Sequence, residues 1–298
     1  MKKHIVIGAS GLIGGSLLDL LKEESSYSIG TYTTKKEANL YYFDLTTEDY
    51  SIFKDTNEGD IFYLLSAYSN PNWIAKNRDQ AEDLNYKKTI KFINFLISKK
   101  AKILFMSSVE IFDGTKGDYK EDDSPNPLNY YGELKLQVED YLTANYDNYT
   151  IARTGWNVGL NEKSRCVVQL TYETLLNPGA KMATDNFFSL SSVQDTAEGL
   201  YKAAEQENLK KIHICSEKII NRKEMAQSVI SNSKNGKKMN YEDCLFKDIP
   251  YSEPRGRVND LNNNLSKELL NINYIDADKL IIDKVKYIDA NARQNSSG

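Results

Sequence analysis

The stretch that decides the fold is KHIVIGASGLIGGSLLDLL, residues 3–21, in which four glycines stand between two apolar runs. His4–Ile7 is short, β-branched and apolar, which is typical of a buried strand. Leucines recur from Ser16 to Lys22, and this spacing predicts a helix that packs on a sheet. Glycine inside such elements costs about 0.5–1 kcal/mol relative to alanine, so its repetition here indicates a specific use.

Three of these glycines, Gly8, Gly11 and Gly14, follow the spacing G-x-x-G-x-x-G. A turn built from residues without Cβ lets backbone N–H groups approach a pyrophosphate at the start of the next helix. The alternative is a glycine-rich turn that binds nothing. The order of strand, glycines and helix favours the first interpretation, a cradle for a dinucleotide.

Strand and helix signals then alternate through the first half of the chain. The predicted strands are Tyr27–Tyr32, Tyr41–Phe43, Asp60–Ala67, Lys102–Ser107, Tyr149–Arg153 and, much later, Lys211–Cys215. The predicted helices between them are Glu82–Ile97 and Glu133–Leu142. Such alternation indicates right-handed crossovers and an α/β fold with a Rossmann-type, doubly wound parallel sheet.

The pattern loosens after Trp156, where polar loops become longer. We therefore predict a dinucleotide-binding domain over residues 1–155, to which 188–215 returns, and a smaller C-terminal substrate-binding lobe over 156–290. Residues 291–298 form a polar tail that we expect to be disordered.

Composition limits the function further. A net charge of −4 and an isoelectric point near 5.5 argue against nucleic acid or an anionic membrane as the main partner. His4 and His213 are the only histidines and both lie in strand-like runs, so we predict structural roles for them and no metal site. With no long apolar run, no signal-peptide pattern and no C-x-x-C spacing, we expect a cytoplasmic protein with reduced thiols.

The residues that indicate chemistry lie in LFMSSVEIFDG, 104–114, and NPLNYYGELKLQVEDYL, 126–142. Tyr131 and Lys135 stand four residues apart, on one face of the predicted helix. Tyrosine, with a pKa near 10, is a weak acid–base group, and a nearby ammonium would lower that pKa. The serine pair at the strand end could hold the substrate oxygen. The alternative is an ordinary aromatic–lysine contact, but the order of glycine turn, serine and Tyr-x-x-x-Lys favours catalysis.

Eight segments carry a family likeness: GASGLIG, FDLTTED, LLSAYSN, DLNYKKT, MSSVEIFDG, YYGELKLQVE, RTGWNVG and PRGRVNDLNNNLSKELL. In them the chain resembles the extended short-chain dehydrogenase/reductases that act on nucleotide-sugars, most closely the dTDP-4-dehydrorhamnose reductase branch. The resemblance implies NAD(P)H-dependent reduction of a nucleotide-linked 4-keto-sugar in activated-sugar biosynthesis, and is compatible with a homodimer. Two alternatives stay open: a nucleotide-sugar 4-epimerase or dehydratase, and a non-catalytic regulatory subunit that binds the cofactor.

The same resemblance assigns individual residues. Ser108 takes the position of the catalytic hydroxyl, Tyr131 that of the proton donor, and Lys135 that of the residue that binds ribose and lowers the tyrosine pKa. The implied substrate-binding residues are Glu110, Asn157 and Arg255. The implied cofactor-binding residues are Gly8, Ser10, Gly11, Leu12, Ile13, Gly14, Thr33, Thr34, Lys35, Asp44, Leu45, Ala67, Tyr131 and Lys135.

Two positions depart from the branch. Val109 stands where the branch has an aspartate, and a valine cannot serve as the general acid of a dehydratase. Gly256 follows Arg255 where the branch has a proline. Glu110 occupies a position at which sugar-nucleotide dehydratases carry a glutamate.

The cofactor preference depends on GTYTTKKEA, residues 30–38. NAD-binding proteins place a carboxylate about 20 residues after the glycines, where it binds the ribose 2′-hydroxyl. Here Thr33, Thr34 and Lys35 come first, and such donors suit a 2′-phosphate. We therefore predict NADP(H) as the preferred cofactor and NAD(H) as the alternative, against the simpler interpretation of a solvated basic turn.

Overall fold

The computed structural model describes residues 2–24, 27–34, 36–160 and 165–291, so Lys35 and the predicted tail from 292 onward lie outside the described residues. The strands are β1 His4–Ile7, β2 Ser28–Tyr32, β3 Tyr41–Tyr42, β4 Ile61–Leu64, β5 Lys102–Ser108, β6 Tyr149–Thr154, β7 Trp156–Val158, β8 Lys181–Ala183, β9 Phe187–Ser192, β10 Lys211–Ile214, β11 Ile219–Asn221, β12 Glu242–Cys244 and β13 Val258–Asn259. The α-helices are α1 Leu12–Glu24, α2 Pro71–Lys76, α3 Arg78–Glu82, α4 Thr89–Ser98, α5 Tyr130–Asn145, α6 Val167–Leu175, α7 Val193–Glu205, α8 Arg222–Asn232, α9 Asn264–Leu270 and α10 Ala277–Asn291.

The main sheet in this part of the chain has seven parallel strands in the order β10-β6-β5-β4-β1-β2-β3. Along β1, Ile5 and Ile7 join the core on one face, and Val6 joins the core on the other. Helices cover both faces, which is why the strands read as continuous apolar runs. The predicted α/β, doubly wound parallel sheet is confirmed.

Several element boundaries differ from the prediction. Helix α1 begins at Leu12 instead of Ser16, and α5 begins at Tyr130 instead of Glu133. The first turn of α1 contains two glycines, and the first turn of α5 contains two tyrosines and a glycine. Neither turn carries the apolar repeat on which the prediction depended. Asn129 starts α5, because its side-chain oxygen accepts a hydrogen bond from the Gly132 N–H group at 3.0 Å.

The helix predicted over 82–97 is longer and is interrupted. It runs from α3 through a π-helical segment, Asp83–Lys88, into α4. At the centre of this segment, the buried amide of Asn85 accepts a hydrogen bond from the Tyr68 N–H group and donates one to the Tyr68 carbonyl. The same pair of bonds holds the loop after β4, so β4 ends at Leu64 instead of Ala67.

The second half forms a smaller lobe. Strand β9 pairs with β7, β11 and β13, and β12 pairs with β8. Helices α6, α8 and α10 pack around a core that includes Val158, Phe188, Met225 and Val285. Within the segment predicted to return to the first domain, β9 stays in the lobe, and the return consists of α7 and β10.

The two histidines are buried in the main sheet, in keeping with their predicted structural role. The Nδ1 atom of His4 lies 3.0 Å from the Tyr63 hydroxyl, and His213 contacts Arg153. Burial lowers the pKa of His213 to about 3, so it stays neutral at physiological pH. None of the helices that the structure describes is long and apolar enough to cross a membrane.

Candidate functional site

The glycine turn between β1 and α1 is closed by direct backbone contact. A Cβ on Gly14 would lie 2.3 Å from the Gly8 carbonyl oxygen, which no side chain could accommodate. Gly8 itself has a φ of +90°, and its N–H group donates to the Thr31 hydroxyl at 3.1 Å. The glycines therefore let the first turn of α1 pack directly on the backbone of the preceding turn, as a phosphate cradle at a helix start requires.

Other predicted cofactor residues border this turn. Ser10, Leu12 and Ile13 are half-buried at or just before the start of α1, and Gly11 is exposed. Ala67 is half-buried in the loop after β4, directly before the residue that Asn85 holds. Since β1 and β4 are parallel neighbours, these segments meet at the carboxyl edge of the sheet.

The predicted adenosine end lies beyond β2. Asp44 Oδ1 accepts hydrogen bonds from the Thr46 N–H group at 2.8 Å and from the Thr46 hydroxyl, and this starts a 3₁₀ turn at the buried Leu45. Thr33 donates its hydroxyl to the Phe43 carbonyl at 2.9 Å, whereas the Thr34 side chain is exposed. Of the three donors predicted for a 2′-phosphate, Thr33 is thus used by the protein backbone and Lys35 lies outside the described residues.

The structure brings Ser108 and Tyr131 together. Ser108 is the last residue of β5, and its Oγ accepts a hydrogen bond from the Glu110 N–H group at 3.2 Å. Tyr131 lies in the first turn of α5, and its hydroxyl is close enough to Ser108 for the serine hydroxyl to oppose the rise of its pKa. Two hydroxyls thus converge at the carboxyl end of β5, as the sequence predicts.

The pKa of Tyr131 runs opposite to the prediction. Burial raises it to about 12, the nearby Glu110 carboxylate raises it further, and the Ser108 hydroxyl opposes both. Lys135 donates to the Met106 carbonyl at 2.8 Å, and its Nζ lies 5.9 Å from the centre of the Tyr131 ring. The predicted lowering of the tyrosine pKa by this ammonium is therefore wrong for the protein alone, because the loss of solvent dominates.

Lys135 is itself strongly affected by its surroundings. Only 5% of its surface is exposed, and burial lowers its pKa to about 8, which the carboxylate of Glu139 opposes. Glu139 in turn forms a buried pair with Arg153, with a shorter oxygen–nitrogen distance of 2.7 Å. Lys135 is thus a desolvated donor that points at the carboxyl end of β5.

Two of the predicted substrate-binding residues, Glu110 and Arg255, lie close to each other. Glu110 is buried beside Ser108, and burial raises its pKa, while a hydrogen bond from Asn129 and the charge of Arg255 oppose that rise. Arg255 is half-buried, with its guanidinium 4.4 Å from the centre of the Tyr251 ring. Glu110 and Arg255 therefore belong to one cluster of side chains.

Asn157 does not present a free amide to the site. Its Nδ2 donates to the Thr154 hydroxyl and the Gly155 carbonyl, both at 3.1 Å, and its Oδ1 accepts from the Thr196 hydroxyl at 2.5 Å. In this structure the amide of Asn157 joins β7 to α7, and its role in substrate binding stays a prediction.

Sequence reasoning missed Asn129. It is 2% exposed, starts α5, and bonds both Glu110 and the Pro254 carbonyl. The available signal was its position: asparagine is a preferred first residue before a helix, and here it precedes YYGELK.

The fold is that of the extended short-chain dehydrogenase/reductases. The model of the family described as RmlD substrate binding domain matches residues 2–277, and the chain belongs to this family. It is 26% identical over 154 residues to methionine adenosyltransferase 2 subunit beta of Xenopus tropicalis, covering 51% of this chain and 46% of that protein. It is 28% identical over 162 residues to dTDP-4-dehydrorhamnose reductase of Aggregatibacter actinomycetemcomitans, covering 53% of each. The matched part spans about half the length of these curated relatives.

Solved structures match over nearly the whole chain. A dTDP-4-dehydrorhamnose reductase of Clostridium acetobutylicum superposes with a TM-score of 0.80 at 21% identity, covering 97% of this chain and 99% of that chain. The dTDP-4-dehydrorhamnose reductase of Bacillus anthracis, in complex with NADP, gives a TM-score of 0.78 at 19% identity, covering 94% and 98%. At these identities the likeness establishes the fold.

Proposed function

We propose that this protein reduces the 4-keto group of a nucleotide-linked sugar with NAD(P)H. The observation that carries the proposal is that Ser108, at the end of β5, and Tyr131, in the first turn of α5, place two hydroxyls together at the carboxyl edge of the sheet, beside the glycine turn. Two relatives of similar fold or sequence are named dTDP-4-dehydrorhamnose reductase, and this supports a nucleotide-sugar as the substrate. We further propose a cytoplasmic location and leave the homodimer as an expectation.

The chain's own residues fit a dinucleotide. The Gly8–Gly14 contact supplies the cradle for the pyrophosphate, and Lys135 and Tyr131 would hold the nicotinamide ribose. When bound, the nicotinamide supplies a hydride. The NADP in the Bacillus anthracis structure supports a nicotinamide cofactor, and the exposed Thr34, together with the two lysines that follow it in the sequence, supports our preference for NADP(H) over NAD(H).

The proton comes from the protein. A pKa of about 12 keeps the Tyr131 phenol protonated at neutral pH, so it is ready to donate to the oxygen as the carbonyl carbon accepts the hydride. Ser108 would donate a hydrogen bond to the same oxygen, on which negative charge develops. Lys135 would lie against the ribose of a bound cofactor, where its charge can favour proton transfer from Tyr131 in a site closed to water.

A regulatory subunit is the second candidate, favoured by the match to methionine adenosyltransferase 2 subunit beta. Retention of Ser108, Tyr131 and Lys135 together in one site supports the enzyme instead. A dehydratase is disfavoured, because Val109, at the position of its acid, is an apolar residue packed in the core.

A panel of nucleotide-sugars and nucleotide-4-keto-sugars tests the proposal. We expect NADPH oxidation with a keto-sugar, one mole per mole of alcohol product identified by NMR. Product formed without net cofactor consumption would instead indicate an epimerase. Tight cofactor binding with no turnover of any keto-sugar would favour the regulatory subunit.

A further inference from the structure

Both the oxygen and the nitrogen of the buried Asn129 amide form hydrogen bonds. Its Oδ1 accepts from the Gly132 N–H group at 3.0 Å, and its Nδ2 donates to Glu110 Oε2 at 2.7 Å. The same nitrogen lies 3.3 Å from the Pro254 carbonyl oxygen, to which it also donates. One side chain thus links the first turn of α5, the turn after β5 and the segment 250–257.

We propose that Asn129 is a positioning residue of the candidate active site, which fixes the Glu110 carboxylate and the segment 250–257 relative to Tyr131. The proposal rests on the proposed function, because it concerns the same site. It goes further by naming a residue that acts through others, and by naming the contacts with Glu110, Gly132 and Pro254 through which it acts.

The segment 250–257 is attached to the same helix start a second time. Glu253 Oε2 accepts from the Tyr130 N–H group at 3.1 Å, and its Oε1 forms an ion pair with Arg78. Arg255 reaches across to Asn72, donating to its Oδ1 at 3.1 Å. Two consecutive residues, Asn129 and Tyr130, therefore hold the segment that carries the predicted substrate residue Arg255.

The Glu110 carboxylate, which Asn129 holds by a hydrogen bond, affects proton donation by the Tyr131 phenol. The Glu110 carboxylate raises the pKa of Tyr131, and Arg255 is the cation that faces Glu110. Ser108 faces the phenol from β5, and Lys135 lies along the ring from α5. Because the site is desolvated, a displaced or doubled negative charge beside Glu110 changes proton donation by Tyr131 more than it would in water.

Asn129→Asp tests this most sharply. Aspartate keeps the oxygen that accepts from Gly132, but it replaces the donor to Glu110 by a second carboxylate. Two carboxylates at this distance share one proton at lower pH, and that proton restores a hydrogen bond between them. We therefore expect kcat/KM to fall by about 30-fold at pH 8, and the deficit relative to wild type to shrink at pH 6.

A double variant supplies the test of mechanism. In Asn129→Asp with Glu110→Gln, the glutamine amide can donate to the aspartate, so the direction of the hydrogen bond is reversed. We expect Asn129→Asp to cost clearly less in the Glu110→Gln background than in the wild-type background, with no added pH dependence, because only the bond to the Pro254 carbonyl stays lost. Asn221→Asp is the matched control: Asn221 starts α8 in the same way, accepting from the Glu224 N–H group at 2.8 Å, and should keep the wild-type pH profile.

A readout without turnover separates this proposal from the proposed function. In protein labelled with ¹³C at the glutamate carboxyl carbon, Glu110 is assigned by its loss in Glu110→Gln, and its apparent pKa should rise by at least about one unit in Asn129→Asp. If no keto-sugar is reduced, the proposed function fails and this titration still tests the link. An unchanged Glu110 titration, or an equal loss of activity from Asn129→Asp in the wild-type and Glu110→Gln backgrounds, would overturn the positioning role.

Discussion

Gly132 packs against Glu110 so closely that a Cβ on Gly132 would lie 2.1 Å from the Glu110 carbonyl oxygen. The obstacle is backbone, which cannot swing aside as a flexible side chain can. The absence of a side chain at Gly132 therefore sets how near α5 approaches the turn after β5. That approach in turn sets the separation of Tyr131, on α5, from Ser108, at the end of β5.

Gly132→Ala should accordingly displace the start of α5 and misplace the phenol. A displacement on the order of 1 Å at a catalytic group can reduce the rate about 10²-fold, so we expect kcat to fall by that order. Steady-state kinetics with the best keto-sugar of the panel measures it. Gly155→Ala is the control, since a Cβ there would lie at an ordinary 3.6 Å from the Ser189 hydroxyl. Wild-type turnover in Gly132→Ala would show that the close approach is unimportant.

The two adjacent serines of β5 form a natural pair for comparison. The Ser108 hydroxyl acts on the pKa of Tyr131, whereas the buried Ser107 hydroxyl has no hydrogen-bond partner among the described residues. We expect Ser108→Ala to lower kcat by about 10²–10³-fold, as loss of an oxyanion donor does. Ser107→Ala should leave kcat within about threefold of wild type. A larger loss from Ser107→Ala would mean that the catalytic hydroxyl is misassigned by one residue.

We expect the buried ammonium of Lys135 to lower the free energy of unfolding of the protein. Because its pKa is lowered to about 8, the unfolded chain binds this proton more tightly than the folded protein between pH 8 and 10.5. Stability therefore rises with pH across that window, and below pH 8 the full cost, about 3 kcal/mol, is present.

We expect Lys135→Met to abolish turnover. It should also raise the free energy of unfolding at pH 7 by about 2 kcal/mol, because removing the buried charge contributes about 3 kcal/mol and losing the hydrogen bond to Met106 costs about 1 kcal/mol. The gain should disappear as the pH rises from 8 towards 10.5. Denaturant unfolding at a series of pH values measures this. A variant less stable than wild type at pH 7 would show that the buried ammonium stabilises the fold.

Cofactor preference is tested at the end of β2. Calorimetry should show NADPH binding about tenfold more tightly than NADH, in line with one or two charge-assisted hydrogen bonds to a 2′-phosphate. Lys35→Glu combined with Lys36→Glu should narrow or reverse that ratio. Lys237→Glu with Lys238→Glu, another adjacent pair, in the lobe, should leave it unchanged. Tighter binding of NADH by the wild type would contradict the preference.

The sheet could be predicted because each of its strands carries local information. In β1, for example, the residues after His4 are all apolar, since both faces of the sheet are covered, and the glycines mark the first turn directly. Ser108, Tyr131 and Lys135 could be predicted because their chemistry depends on a spacing of four residues and on a strand end, both of which are visible in the sequence.

What could not be predicted depends on contacts between distant residues. The role of Asn129 requires Glu110 and Pro254 to meet beside α5, and the engaged amide of Asn157 requires Thr196 from α7. The raised pKa of Tyr131 is a matter of burial, which no local spacing reports. The π-helical segment at Asn85 likewise exists because a loop from another strand is bonded there.

The most direct test of the central claim follows the hydride itself. NADPH carrying deuterium at C4 of the nicotinamide is incubated with the protein and a nucleotide-4-keto-sugar, and the product is examined by NMR. We predict deuterium on the new carbinol carbon at C4 of the sugar, in an amount equal to the NADPH consumed, and none with Tyr131→Phe, which should still bind NADPH. A product without deuterium at C4, or turnover undiminished in Tyr131→Phe, would contradict the assignment of this site as a Tyr131-dependent ketoreductase.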